Sequence, residues 1–182
     1  MNLATFESFA DYSSFVYELG ATNRTDIVRF YTDADVRTLL HPNGKGLKAL
    51  KKLLAAHSNG MAEFFHGTHP SFDILGQGLL KTTARSKKSM QSTPGFVYLA
   101  TNPSAARTFG NLANGINDAA VYRIVVPLAH VKADLDQLSN KRHYGNFYDA
   151  PIGNSLADSL VFGGGGRVKG NIPPYMITRF EE

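Results

Sequence analysis

The chain has 182 residues, 43% of them hydrophobic and 19% charged, with a formal net charge of +4 and neither cysteine nor tryptophan. That length suits one domain with a sizeable core, and that hydrophobic share belongs to a globular rather than a disordered chain. The lack of cysteine excludes disulfides, thiolate nucleophiles, thiolate zinc sites and iron–sulfur ligation. No apolar run approaches the roughly 18 residues of a membrane span. The stretch from Met1 to Ser14 carries acids and lacks a basic-then-apolar leader, so a cytoplasmic protein with no membrane partner is expected. The small basic excess permits a nucleic-acid partner and establishes none.

Residues 1–60 read as mostly helical, an N-terminal extension to a domain over residues 61–182. Phe6, Phe9, Phe15, Val16 and Leu19 recur near the helical period, and Gly20 is a stop. A second helix is expected from Asp33 to Leu40, ended by His41-Pro42-Asn43-Gly44. The clearest helix spans Gly46 to His57: Leu47, Leu50, Leu53 and Leu54 form its buried stripe, Lys48, Lys51 and Lys52 lie mostly off it, and Ser58-Asn59-Gly60 closes it.

Beyond Gly60 the pattern changes to short β-like runs: Ala62–His66, Gly95–Ala100, Ala120–Pro127, Ser159–Phe162 and Tyr175–Phe180. Gly, Pro, Asn and Ser clusters separate them, which predicts an α+β domain. A helix from Pro103 to Phe109 follows directly on the second run. Two long polar loops, Lys81–Pro94 and Asn140–Asn154, are of the length that is usually functional or disordered. Gly163-Gly164-Gly165-Gly166, followed by Arg167 and Lys169, reads as a hairpin connection or as a phosphate cradle. His41, His57, His69, His130 and His143 have no metal-ligand spacing, so no metal site is expected.

Four segments carry chemistry. Phe64-Phe65-His66-Gly67-Thr68-His69 delivers a histidine, a glycine and a hydroxyl at the end of a strand, and a glycine there lets a ligand approach the backbone. Ile74-Leu75-Gly76-Gln77-Gly78-Leu79-Leu80 turns into an apolar stretch. Gly95-Phe96-Val97-Tyr98-Leu99-Ala100 presents Tyr98, and the helix after it returns Phe109, so two rings can face each other across a slot. Asn154-Ser155-Leu156-Ala157-Asp158-Ser159 places an acid before the fourth β-like run.

In their order and spacing these segments resemble the ADP-ribosyltransferase superfamily, in its diphtheria-toxin and poly(ADP-ribose)-polymerase-like branch, with some similarity to the rifamycin-modifying transferases. The resemblance runs from Ala62 to about Phe180. It implies a fold of two packed antiparallel sheets around an NAD cleft, with NAD as a consumed co-substrate and no metal. It gives His66 a ribose hydroxyl, Gly67 the nicotinamide carboxamide, and Tyr98 and Phe109 the two faces of the nicotinamide ring. Thr68, Leu99 and Ala100 border the cofactor. The serine that such enzymes often place three residues before the second aromatic is Ala106 here, with Ser104 or Thr108 as substitutes. The family's late acid matches Asp158 best, with Asp149 and Glu181 as alternatives, and an aspartate there favours single transfer over chain elongation.

The activity implied is a toxin- or effector-like mono-ADP-ribosyltransferase of bacterial or phage type. Its acceptor is macromolecular, with RNA or DNA ahead of protein on account of the Lys81–Lys88, Lys48–Lys52 and Arg167/Lys169 basic groups. An antitoxin or inhibitor is a further expected partner. Two alternatives stay open: an NAD glycohydrolase or small-molecule transferase of the same fold, and a non-catalytic NAD- or ADP-ribose-binding module.

Overall fold

The computed structural model describes residues 27–83, 92–142 and 147–181. The helix expected over Phe6–Leu19 and, within the two polar loops, residues 84–91 and 143–146 lie outside these residues. Among these residues seven strands are present: β1 (Ile27–Arg29), β2 (Met61–Thr68), β3 (Phe96–Ala100), β4 (Ala120–Pro127), β5 (Val131–Ala133), β6 (Gly165–Lys169) and β7 (Ile177–Arg179). Six helices accompany them: α1 (Ala34–Leu39), α2 (Gly44–Ala56), α3 (Ile74–Gln77), α4 (Pro103–Asn114), α5 (Leu135–Arg142) and α6 (Leu156–Asp158). The fold class is α+β. Among the described residues no helix is long and apolar enough to cross a membrane.

Side-chain caps set the helix starts. Asp33 accepts from the N–H groups of Asp35 and Val36, Asn43 from Gly46, and Asn102 from Ala105, each satisfying donors that the first helical turn leaves over. α4 runs a full turn beyond the expected Phe109 and stops at Gly115, whose φ of 67° is the left-handed conformation glycine supplies at low cost.

All seven strands belong to one hydrogen-bonded sheet in the order β5-β6-β3-β2-β4-β7, with β1 also on β2. Where two packed sheets were expected, hydrogen bonding links all the described strands into one. The sheet instead forks at β2. Its β4 edge is paired along eight register positions, from Met61↔Pro127 to Thr68↔Ala120. The opposite edge is shared: β1 runs parallel to Met61–Glu63, and β3 touches it only at Phe65↔Ala100. One half of the sheet, β1-β2-β4-β7, and the other, β3-β6-β5, thus meet at a single residue pair. Every pairing except β1 with β2 is antiparallel.

Residues 27–60 share this architecture rather than standing apart from it. Val28 and Phe30, with Val36, Leu47 and Leu50, belong to the same buried cluster as Phe64, Ile124 and Leu160. A three-residue strand before α1 is invisible to periodicity, because its partner lies more than thirty residues away.

Two of the expected strands are corrected. Ser159–Phe162 is a helical turn, Ser159–Gly163, that continues α6. Four apolar residues do not distinguish strand from buried helix, and the Ser155–Asp158 capping box upstream decides for the helix. Tyr175–Phe180 is strand only over Ile177–Arg179, since Pro173 and Pro174 open a 3₁₀ turn before it. The start of the Asn140–Asn154 loop is the end of α5.

Candidate functional site

The fork in the sheet makes the site. β1 ends opposite Glu63 and β3 departs after Phe65, so His66, Gly67 and Thr68 lie on an edge with no strand beside them. Val121 gives its carbonyl to the Phe180 N–H at 3.0 Å, so its backbone faces β7. Gly67 stands opposite Val121 and must turn its own N–H and C=O away from β4, toward the open edge.

His66 spans that opening. Its Nδ1 lies 2.7 Å from the Tyr98 carbonyl oxygen. A carbonyl only accepts, so Nδ1 carries the proton and donates it, which leaves Nε2 of the neutral ring as an acceptor. Burial lowers the imidazole pKa below its ordinary value, against the opposing effect of the bond to Tyr98, and so favours this neutral tautomer. The ring borders two adjoining cavities.

The first cavity, of about 360 Å³, lies between β2, β3, α4 and the start of α5. Tyr98 and Phe109 both line it, as do Gly67, Thr68, Leu99 and Ala100. Ala106 lines it as well. Ser104 does not line it; it is exposed at the start of α4, and its carbonyl accepts from the Thr108 hydroxyl. The second cavity, of about 500 Å³, shares His66, Thr68 and Leu80 with the first and extends along α3. Asp73 caps that short helix and Gly78, at φ 80°, ends it, which accounts for the Ile74–Leu80 turn.

Gly67 has a further task that its position in the chain does not reveal. A Cβ built there would lie 1.9 Å from the Ala106 carbonyl oxygen, and one built at Gly110 would lie 2.6 Å from the Gly67 carbonyl carbon. α4 therefore crosses β2 at backbone contact, and that crossing places Phe109 on the cavity.

Tyr98 is held by polar groups that pattern reading missed. Its hydroxyl donates to Asp136 Oδ2 at 2.6 Å and accepts from the Thr93 N–H at 2.6 Å. Thr93 Oγ1 also donates to Asp136, and Arg167 Nη1 reaches Asp136 Oδ2 at 3.2 Å. Burial and the bond to the Asp136 carboxylate push the Tyr98 hydroxyl pKa up to about 12. Burial alone would raise the Asp136 carboxyl, but the bonds from Tyr98 and Thr93 outweigh it and hold the group below its ordinary value. The guanidinium of Arg167 stacks over Phe96 at 4.2 Å, and only 8% of Arg167 is exposed. Arg167 is thus no surface phosphate contact. Lys169 beside it is exposed.

Asp158 lies elsewhere. It is buried, pairs with Lys51 at 4.0 Å, and closes the capping box of α6. Its carboxylate accepts from the N–H groups of Gly153 and Ser155 and from the Ser155 hydroxyl. Burial would raise its pKa, yet those donors and Lys51 hold it below the ordinary value. It does not line the cavity. Asp149 and Glu181 do not line it either. The acid that does is Asp134, after β5, with Gln137 beside it. An Asp ahead of Leu135-Asp136-Gln137 is a readable helix cap, but nothing in the sequence says that it shares a cavity with His66 and Tyr98. Gly163 and Gly165 complete that wall, so the glycine run is the connection into β6. His143 falls outside the described residues.

No protein-family model, characterised protein or solved structure matches this chain.

Proposed function

We propose that the forked cleft binds NAD and that the protein is a mono-ADP-ribosyltransferase, releasing nicotinamide and passing ADP-ribose to a macromolecular acceptor. The observation that carries the reading is the pairing of His66 Nδ1 with the Tyr98 carbonyl oxygen at the open edge of β2. It leaves Nε2 to accept from a ribose hydroxyl, while the Gly67 N–H and C=O turn toward the same opening and match a carboxamide, which needs one donor and one acceptor. Tyr98 and Phe109 border the same cavity and suit a planar ring, with stacking worth about 0.5–1.5 kcal/mol beyond area burial. Two cavities meeting at His66 fit a ligand with two nucleotide halves. The two sheet halves, joined at one residue pair, diverge at the open edge of β2, which supports reading the gap as a cleft.

The chemistry asks the protein mainly for positioning and charge. Breaking the bond from ribose to nicotinamide builds positive charge on the ribose, as in other oxocarbenium-like transfers. Fixing both ends of the dinucleotide presents the anomeric carbon to the acceptor.

The test incubates the full chain with NAD labelled in the adenylate, together with separate RNA, DNA and protein pools, and measures nicotinamide release in parallel. Label in RNA or DNA with release of nicotinamide is the expected result. Label only in protein would shift the acceptor, and label only in free ADP-ribose would make the protein a hydrolase. NAD binding without any release would make it a binding module. Replacing His66 with Ala should weaken NAD binding by about 10- to 100-fold, the cost of one buried hydrogen bond left unmade.

A further inference from the structure

The geometry points to Asp134, on the cavity wall between β5 and α5, as the carboxylate that faces the reacting ribose. This assignment rests on the NAD-consuming reading above. The resemblance calls for an acid on a late strand, yet β6 reads Gly-Gly-Arg-Val-Lys and carries none. Its neighbour supplies one: β5 pairs with β6 at Ala133↔Gly166, so the next residue, Asp134, comes to lie beside Gly165. Both residues line the first cavity with His66 and Tyr98, and Asp134 is its only acidic lining residue among those described.

The position is rigid. The Asp134 N–H donates to Ser159 Oγ at 2.8 Å, and Ser159 Oγ donates to the Gly165 carbonyl at 2.6 Å. Its Oδ1 accepts from the Gln137 N–H at 3.0 Å, which starts α5. Unlike Asp158, whose carboxylate is enclosed by three donors and a lysine, this one borders open volume. Burial raises its pKa, partly offset by the Gln137 bond, so the ionised form stands to gain from a cation arriving beside it. Asp136 and Arg167 are the other charges acting on it, with His66 and Tyr98 the titratable groups bordering the same cavity.

In the step assigned, the bond between C1′ of the ribose and the nicotinamide nitrogen breaks, and its electron pair leaves with neutral nicotinamide. A nucleophilic oxygen or nitrogen of the acceptor bonds to C1′, and its proton passes to water. Asp134 stays ionised throughout and acts by charge, aligned before the cation develops.

Asp134→Asn tests this in the full chain, because Asn caps a helix about as well as Asp and only the charge is lost. Asp134→Ser, a comparable cap, guards against a fold-specific artefact, and Asp158→Asn is the comparator. Binding is read as the rise in thermal midpoint with NAD, and chemistry as nicotinamide release against pH. Both Asp134 variants should bind NAD within about threefold of wild type yet release nicotinamide at least about a hundredfold more slowly. The fall in rate at acid pH, displaced above the ordinary carboxylate range in wild type, should vanish with them. Asp158→Asn should keep its rate per folded molecule within about threefold. Release at the wild-type rate by an Asp134 variant that still binds NAD would overturn the assignment and leave the NAD reading standing. If wild type neither binds NAD nor releases nicotinamide, the NAD reading fails, and the assignment of Asp134 falls with it.

Discussion

The two edges of β2 carry the same eight residues and behave differently. Toward β4 the ladder is complete over eight register positions; toward β3 it consists of Phe65↔Ala100 alone. The closed edge holds Phe64, Ile124 and Val126 in the core, while the open one exposes backbone donors and acceptors and a histidine to a cavity. An unpaired strand edge inside a fold is costly unless something else meets its polar groups. Across the opening the His66 ring meets the Tyr98 carbonyl of β3, and the backbone groups of Gly67 turn toward the same gap. The site is where the sheet stops pairing.

The largest effect on this arrangement should come from the smallest side chain. Replacing Gly67 with Ala puts a methyl 1.9 Å from the Ala106 carbonyl oxygen, where two backbones must separate. A loss of at least about 3 kcal/mol is expected in denaturant unfolding, at the upper end of overpacking costs. Gly44→Ala is the control: nothing lies within 4 Å of its Cβ, and a helical Gly→Ala change there should add about 0.5–1 kcal/mol. Equal losses at both positions would remove close helix–strand contact as the reason for Gly67.

Asp158→Ala separates structural from chemical acids. Three donors and Lys51 lose their partner, so about 2 kcal/mol of stability should go. Nicotinamide release per folded molecule should not change, and a large drop would return Asp158 to the reaction.

Tyr98→Phe keeps the ring and removes its bond to Asp136. About 1.5 kcal/mol of stability should be lost, as for a hydrogen bond to a charged group. If Tyr98 serves the open edge chiefly through its ring face, NAD should still bind within about fivefold in a thermal-shift titration, since the ring is kept and the lost bond lies within the protein.

The smallest effect is that of pH. The His66 pKa is lowered in the folded state, so the stability it contributes is complete above the ordinary histidine value and is lost as pH falls from there through the folded value. Asp134 works the other way: its raised pKa means that ionisation costs stability, so its protonation on acidification is stabilising. Thermal midpoints of wild type should decline from pH 7 toward 5, and His66→Gln should flatten that decline. An unchanged slope would show that His66 is not held neutral by the fold.

Much of the local structure was legible before any coordinates. The helices beginning near Asp33, Gly46 and Pro103 and the β4 limits Ala120–Pro127 follow from short-range rules that depend on neighbouring residues. His66, Gly67, Tyr98 and Phe109 were recognised from their order and do converge on one cavity. Ser159–Phe162 failed because a four-residue apolar run has no period of its own, and the Ser155 cap decided it. Asp158 was misplaced for the same reason: read as the head of a strand it would sit in a sheet, but as a capping residue it turns back onto its own helix. Ser104 likewise looks outward from the start of α4.

The sequence by itself determined which residue types were available: a cysteine-free chain, a His-Gly-Thr strand end, two aromatics eleven residues apart and several aspartates. Only the tertiary structure decided which aspartate lines the cavity with His66. Helix caps depend on contacts within four residues, whereas Asp134 reaches the cavity through β5–β6–β3 pairing and the fork at β2. Those contacts join residues from four separate stretches of chain, and no local pattern carries them.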